Sequence, residues 1–192
     1  MNVEKWNSRE RGFSMIELMV VVGIMVVLAG LLIGSLPGIQ SRINRGKVET
    51  FMAELESGLS KYQIDNGIYP QNEPDGDRDK AGIKGAAILY KHLSGDWDLD
   101  GKVDFTTNEK VYVTKLDYDS NKEAKEKRSD AVGGEYMVID SYGNPFRYLA
   151  QPPNIKQDQR ETRNPTYDIW SITDADPDRT EESAKYITNW QQ

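Results

Sequence analysis

The chain has 192 residues, a formal net charge of −7 and a pI of about 4.9. With no basic patch to set against that acidic balance, nucleic acid is excluded as a partner, because a phosphate backbone is held by clustered Lys and Arg. The absence of cysteine excludes a disulfide framework and a thiolate metal site.

Met1–Gly12 is a short polar leader carrying Lys5, Arg9 and Arg11. From Leu18 to Ser41 no residue is charged, a run long enough to cross a hydrocarbon core as a helix. One carboxylate, Glu17, stands at the mouth of that run, where an ionisable group is expensive without a partner and so reads as functional. In a secretory signal peptide the small residues follow the apolar core, whereas here Gly12 precedes it. Cleavage after Gly12 would therefore keep the hydrophobic helix and make Phe13 the new N-terminus. The basic leader predicts a cytoplasmic N-terminus and an outward-facing C-terminal domain of roughly 150 residues.

Gly34 and Pro37 predict a loosening or kink near the outer interface. Beyond them Ile39, Ile43, Val48, Phe51, Met52, Leu55, Leu59 and Tyr62 recur at helical steps, opposite Arg42, Arg45, Glu49, Glu54 and Lys61. Asn66-Gly67 and Pro70 predict the stop. A loop over Gln71–Asp79 leads to a short helix, Ala81–Leu93. Strands are predicted at Lys110–Leu116, Glu135–Asp140, Phe146–Leu149 and Tyr167–Ser171, with Asp117–Asp130 a charged surface insertion. The single histidine, His92, has no nucleophile motif near it and reads as structural.

Asp96, Asp98, Asp100, Gly101, Lys102 and Asp104 follow the spacing of an EF-hand-like calcium loop. Oxygen ligands alternate, glycine makes the sharp turn, and Lys102 would bind through its carbonyl. The twelfth position is Thr107 rather than an acid, and Glu109 is off register. The competing reading is a solvated acidic turn.

Gly12-Phe13-Ser14-Met15-Ile16-Glu17-Leu18 resembles the processing signal of the type IV pilin and type II secretion pseudopilin family. The resemblance implies cleavage after Gly12 by a prepilin peptidase and N-methylation of Phe13. It also implies an assembly role for Glu17, whose carboxylate would meet the Phe13 ammonium of a neighbouring subunit. Asp65-Asn66-Gly67-Ile68-Tyr69-Pro70, Asp140–Tyr148, Tyr167–Ser171 and Ile187-Thr188-Asn189-Trp190 are similar to further marks of the major pseudopilin. In that family a C-terminal loop binds calcium, which here points to Asp174, Asp176, Asp178 and Glu181 as an alternative or second site. Lys185 and Tyr186 stand where the family has aspartates.

The expected fold is α+β and type IV pilin-like, a long N-terminal helix packed on a small antiparallel sheet. Its expected parts are a leader peptide (1–12), a transmembrane and filament-core helix (13–38), an amphipathic continuation (39–66) and a periplasmic domain (67–192) with a loop-rich insertion (71–130). The implied function is a structural, non-enzymatic subunit of a type II secretion pseudopilus, held in the bacterial inner membrane and polymerising through its helix to drive export. The implied partners are copies of itself, minor pseudopilins, the prepilin peptidase and the inner-membrane secretion platform. No phosphate-binding glycine loop is present, so energy would come from a separate ATPase. The alternatives are a type IV pilin, a minor pseudopilin, or a membrane-anchored, calcium-dependent binding module or enzyme.

Overall fold

Helix α1 runs Met15–Asn66, and the computed structural model divides into two compact units between Arg42 and Ile43. It describes residues 12–73, 75–103, 110–152, 154–156, 160–176 and 179–190, without the side chains of 34–37 and 180. The kink predicted at Gly34 and Pro37 therefore falls outside the described side chains.

In the first unit α1 is apolar all round. Every large hydrophobic side chain from Phe13 to Ile33 is exposed, the least of them Val21 at 44% and the most Met15 at 83%. A helix with no polar face cannot rest on one side of a domain and needs apolar surroundings on every side.

In the second unit the pattern becomes a stripe. Val48, Phe51, Met52, Leu55, Leu59 and Tyr62 are buried, while Ile43, in the same phase, is exposed. Gly67 ends the helix with φ +80°, a left-handed conformation that glycine adopts without a Cβ penalty, and its N–H donates to the Gln63 carbonyl at 2.8 Å. Helix α2 spans Arg78–Ser94, longer at both ends than the spacing predicts: Asp77 caps its start by accepting from the N–H groups of Asp79 and Lys80, and Gly95 (φ +87°) closes its end. Its Leu89, Tyr90 and Leu93 join the α1 stripe in the core.

Two antiparallel sheets complete the unit. Strands β1 (Ser129–Val132) and β2 (Glu135–Val138) form a hairpin whose turn residues, Gly133 and Gly134, both have positive φ. Strands β3 (Arg147–Ala150), β4 (Tyr167–Ser171) and β5 (Ile187–Thr188) pair in that order. Tyr148 stands opposite Ile169 and Ala150 opposite Tyr167, and these four face the α1 stripe. On the opposite face Leu149 and Trp170 pack with Ala81, Tyr186 and Trp190. With both faces covered, every residue of β4 is buried.

The fold is α+β with a long N-terminal helix, as the sequence predicts, although one expected strand is corrected. Lys110–Leu116 forms no strand. Instead the N–H groups of Tyr112 and Val113 both donate to the Leu93 carbonyl, and Thr114–Leu116 closes as a single 3-10 turn. Val113 and Leu116 are buried three residues apart, a spacing that the turn brings to one side and a strand's period of two would not. The charged insertion contains a short helix, α3 (Tyr118–Asn121), and gives way to β1 at Ser129.

Several marks of the C-terminal half are structural devices. Buried Asp140 accepts from the N–H groups of Tyr142 (2.8 Å) and Asn144 (2.9 Å) and from the Ser171 hydroxyl (2.5 Å), locking the turn before β3 to β4. Asp168 is fully buried, paired with Arg78 at 2.6 Å and accepting from the N–H groups of Arg163 and Asn164. Asn189 accepts from the Ile169 N–H (3.0 Å) and donates to the Tyr167 carbonyl (3.3 Å). Burial raises the Glu56 carboxyl of α1 above its usual range, against the opposing pull of the nearby Asn189 side chain.

Candidate functional site

The processing segment lies at the start of α1. Gly12 and Phe13 are outside the helix and exposed, Phe13 at 81%. Ser14 is the N-cap: its hydroxyl accepts from the Glu17 N–H at 3.3 Å, while the Glu17 carboxylate accepts from the Ser14 N–H at 2.8 Å. This reciprocal pair is a capping box, which satisfies two of the donors that a helix start leaves without partners. Glu17 thus has a local partner within one chain. Charge alone singles out Glu17 and misses Ser14, although the S-x-x-E spacing is itself the signal.

The aspartate loop follows α2. Asp96 is 1% exposed, and its carboxylate accepts from the Tyr90 hydroxyl (2.7 Å) and from the N–H groups of Gly101 (2.9 Å) and Asp100 (3.1 Å). Burial pushes the Asp96 carboxyl above its usual range, against the pull of those donors. Leu99 (φ +60°) and Gly101 (φ +86°) turn the chain so that Asp96, Asp98 and Asp100 each present a carboxylate oxygen within 4.8 Å of the others. Tyr136 stacks on Tyr90, its hydroxyl reaches the Asp100 carbonyl at 3.4 Å, and the Asp119 N–H donates to the Gly101 carbonyl at 2.9 Å. The loop is therefore held from outside by an aromatic wall. Three clustered carboxylates, one of them buried, are the donor set that suits a hard divalent cation. Lys102 is exposed, and Asp104, Thr107 and Glu109 lie outside the described residues.

The C-terminal loop is arranged differently. Glu182 accepts from the Asp176 N–H at 2.8 Å and from Lys185 at 3.1 Å, in that order the causes that hold its carboxyl below the usual range. Glu181 pairs with Arg179 at 2.9 Å. Asp174 and Asp176 are exposed, and Asp178 lies outside the described residues. Among the described residues, only Asp96, Asp98 and Asp100 gather three potential metal ligands.

His92 is half-buried against the rings of Tyr62 and Trp97, with the Tyr62 hydroxyl 3.2 Å from Nδ1. Burial, and then the nearby Lys91, lower its pKa. This aromatic setting joins α1 to α2.

Residues 7–33 match the family described as the prokaryotic N-terminal methylation motif. The chain is 42% identical over 65 residues to the type II secretion system core protein G of Pectobacterium carotovorum, covering 34% of this chain and 42% of that protein. The same identity, over 34% of this chain and 46% of the relative, holds for core protein G of Klebsiella pneumoniae. The chain thus spans less than half the length of these curated relatives. Core protein G of Pseudomonas aeruginosa is 27% identical over 150 residues, 74% of this chain and 75% of that protein. No solved structure matches the chain significantly. Helix α1 is, among the described residues, the one helix long and apolar enough to cross a membrane. The resemblance carried by Gly12–Leu18 is thereby borne out: the chain carries the prokaryotic N-terminal methylation motif, and its relatives are type II secretion system core proteins G.

Proposed function

We propose that the chain is a structural, non-enzymatic subunit of a type II secretion pseudopilus, cut between Gly12 and Phe13 and methylated on Phe13. The observation that carries this reading is the all-round exposure of the apolar side chains from Phe13 to Ile33, directly behind the processing motif. Each such side chain left in water forgoes about 1.5–3 kcal/mol of burial. With more than a dozen of them, the total exceeds the roughly 5–15 kcal/mol that holds a typical domain together. The segment therefore needs lipid before assembly and the same segments of other copies afterwards. The basic leader puts the N-terminus in the cytoplasm and the second unit in the periplasm.

In a filament, Glu17 would exchange its capping bond for the ammonium of a neighbour's Phe13 and so set axial register. Partners follow from the same reading: copies of the chain, minor pseudopilins, a prepilin peptidase and the inner-membrane platform. The test is mass spectrometry of the protein matured in a host with a type II secretion system. A mature chain beginning at methylated Phe13 is expected, and one that keeps Met1 or loses the apolar run would overturn the reading.

Calcium belongs to the proposal as a stiffener of a domain without disulfides. Asp96, Asp98 and Asp100 would hold it, with the Lys102 carbonyl and Asp104 completing the set. The ion would supply the positive charge that three close carboxylates lack. EDTA is expected to lower the melting temperature of the full chain in detergent, and Asp98→Asn with Asp100→Asn to remove that sensitivity. The C-terminal residues Asp174, Asp176, Asp178 and Glu181 are the alternative, so EDTA sensitivity that survives the double variant would move the ion there.

A further inference from the structure

The cap at the start of α1 bears on the cutting step itself, given that the chain is processed between Gly12 and Phe13 as proposed. In a helix, the carbonyl of residue i is engaged by the N–H of residue i+4. Were α1 to run one turn further back, the Gly12 carbonyl would be tied to the Ile16 N–H and the scissile peptide would be wound into the helix. The backbone bond reaching back past the helix start is instead Leu18 N–H to Ser14 O at 3.2 Å, and none among the described residues uses the Gly12 or Phe13 carbonyl. The helix starts at Met15 because Ser14 and Glu17 close on each other. Phe13 and Leu18 occupy the two positions that flank the capping box, and both are exposed.

We propose that Ser14 is a positioning residue for processing: with Glu17 it stops α1 one residue short of Phe13 and holds the Gly12–Phe13 peptide out of the helix, open to the peptidase. The attacked carbonyl is that of Gly12, and the bond that breaks joins it to the Phe13 nitrogen, which leaves as the new amino terminus while water supplies the hydroxyl. Glu17 then has two successive duties separable by chemistry. Capping needs a hydrogen-bond acceptor at that position, which a neutral amide also provides, whereas pairing with an ammonium needs the charge. Alanine at position 14 would remove the cap and add the strongest helix former, inviting the helix backward over the cut site.

The experiment measures cleavage of the full chain in detergent by a prepilin peptidase, read as initial rates by mass spectrometry. Ser14→Ala is expected to be cut about two- to tenfold more slowly, in line with the loss of an N-cap. Ser14→Asn should recover the rate to within about twofold, since asparagine caps as well as serine. Glu17→Gln should be cut at close to the unaltered rate. Backbone chemical shifts at Phe13 and Ser14 should move toward helical values in Ser14→Ala alone. Unchanged cleavage of Ser14→Ala would overturn the proposal, as would Ser14→Asn being as slow as the alanine variant, which would mean that the peptidase reads the hydroxyl directly. If the unaltered chain is not cut at Gly12–Phe13 at all, the processing reading fails instead.

Discussion

The two stretches of α1 are built from the same side chains and meet opposite fates. Leu, Ile, Val and Met between residues 15 and 33 are all exposed, whereas Val48, Leu55 and Leu59 are completely buried. Hydrophobicity does not separate them, but periodicity does. The first stretch is apolar on every side and has no face to give to a domain, so its burial must come from outside the chain. The second is a stripe with charges behind it, and its burial comes from β3, β4 and α2. One helix can thus serve an assembly and a fold at once, because the two duties use different angular patterns.

The largest expected break in that comparison is Glu17→Val. It should abolish or severely reduce filaments seen by electron microscopy while the melting temperature of the second unit stays unchanged. Normal filaments would remove the register role of Glu17. Leu59→Ala should do the reverse, costing about 2–5 kcal/mol in denaturant unfolding because a fully buried side chain leaves a cavity in the core that α1 shares with α2. Gly85→Ala tests the packing of α2 on β3, since a Cβ there would lie 1.9 Å from the Tyr148 carbonyl. Backbone must move to admit it, and a loss of about 1–3 kcal/mol or more is expected by the same measurement. Asn189→Ala should cost about 1–3 kcal/mol by stranding the Ile169 N–H.

The smallest effect concerns pH. Burial lowers the His92 pKa, so the unfolded chain binds a proton more readily than the folded one below about pH 6.5. Stability gained from this group is present above that pH and is lost as pH falls toward the folded value. The slope cannot exceed about 1.4 kcal/mol per pH unit for one titrating group. Replacing His92 by Gln should flatten that part of the stability–pH curve, and an unaltered curve would show that other groups carry it.

Most of the helical architecture is legible because period and punctuation agree: the stripe from Val48 to Tyr62 is buried, and α1 ends at Asn66 before Gly67. What escapes is decided by partners that local pattern does not name. Val111 and Val113 alternate with Tyr112 and Thr114 like a strand, yet the Leu93 carbonyl captures the N–H groups of Tyr112 and Val113 in place of a ladder. Strand β1 is hidden in a charged run because only Ser129 on it is buried; the Gly133-Gly134 turn is its one sharp mark. At the processing segment the glutamate draws notice as a charge in an apolar place, and the serine beside it does not because its work is done by geometry.

Asn189 also sets an order of events. It holds two backbone groups of β4 beside Glu56 of α1, so it closes the fold between elements far apart along the chain. Contacts so distant along the chain form late and slowly. Until Asn189 has docked, β4 lacks the partner at its edge and part of the long helix keeps its stripe uncovered. A chain without that contact would thus expose unpaired strand and apolar surface together, the combination that invites aggregation.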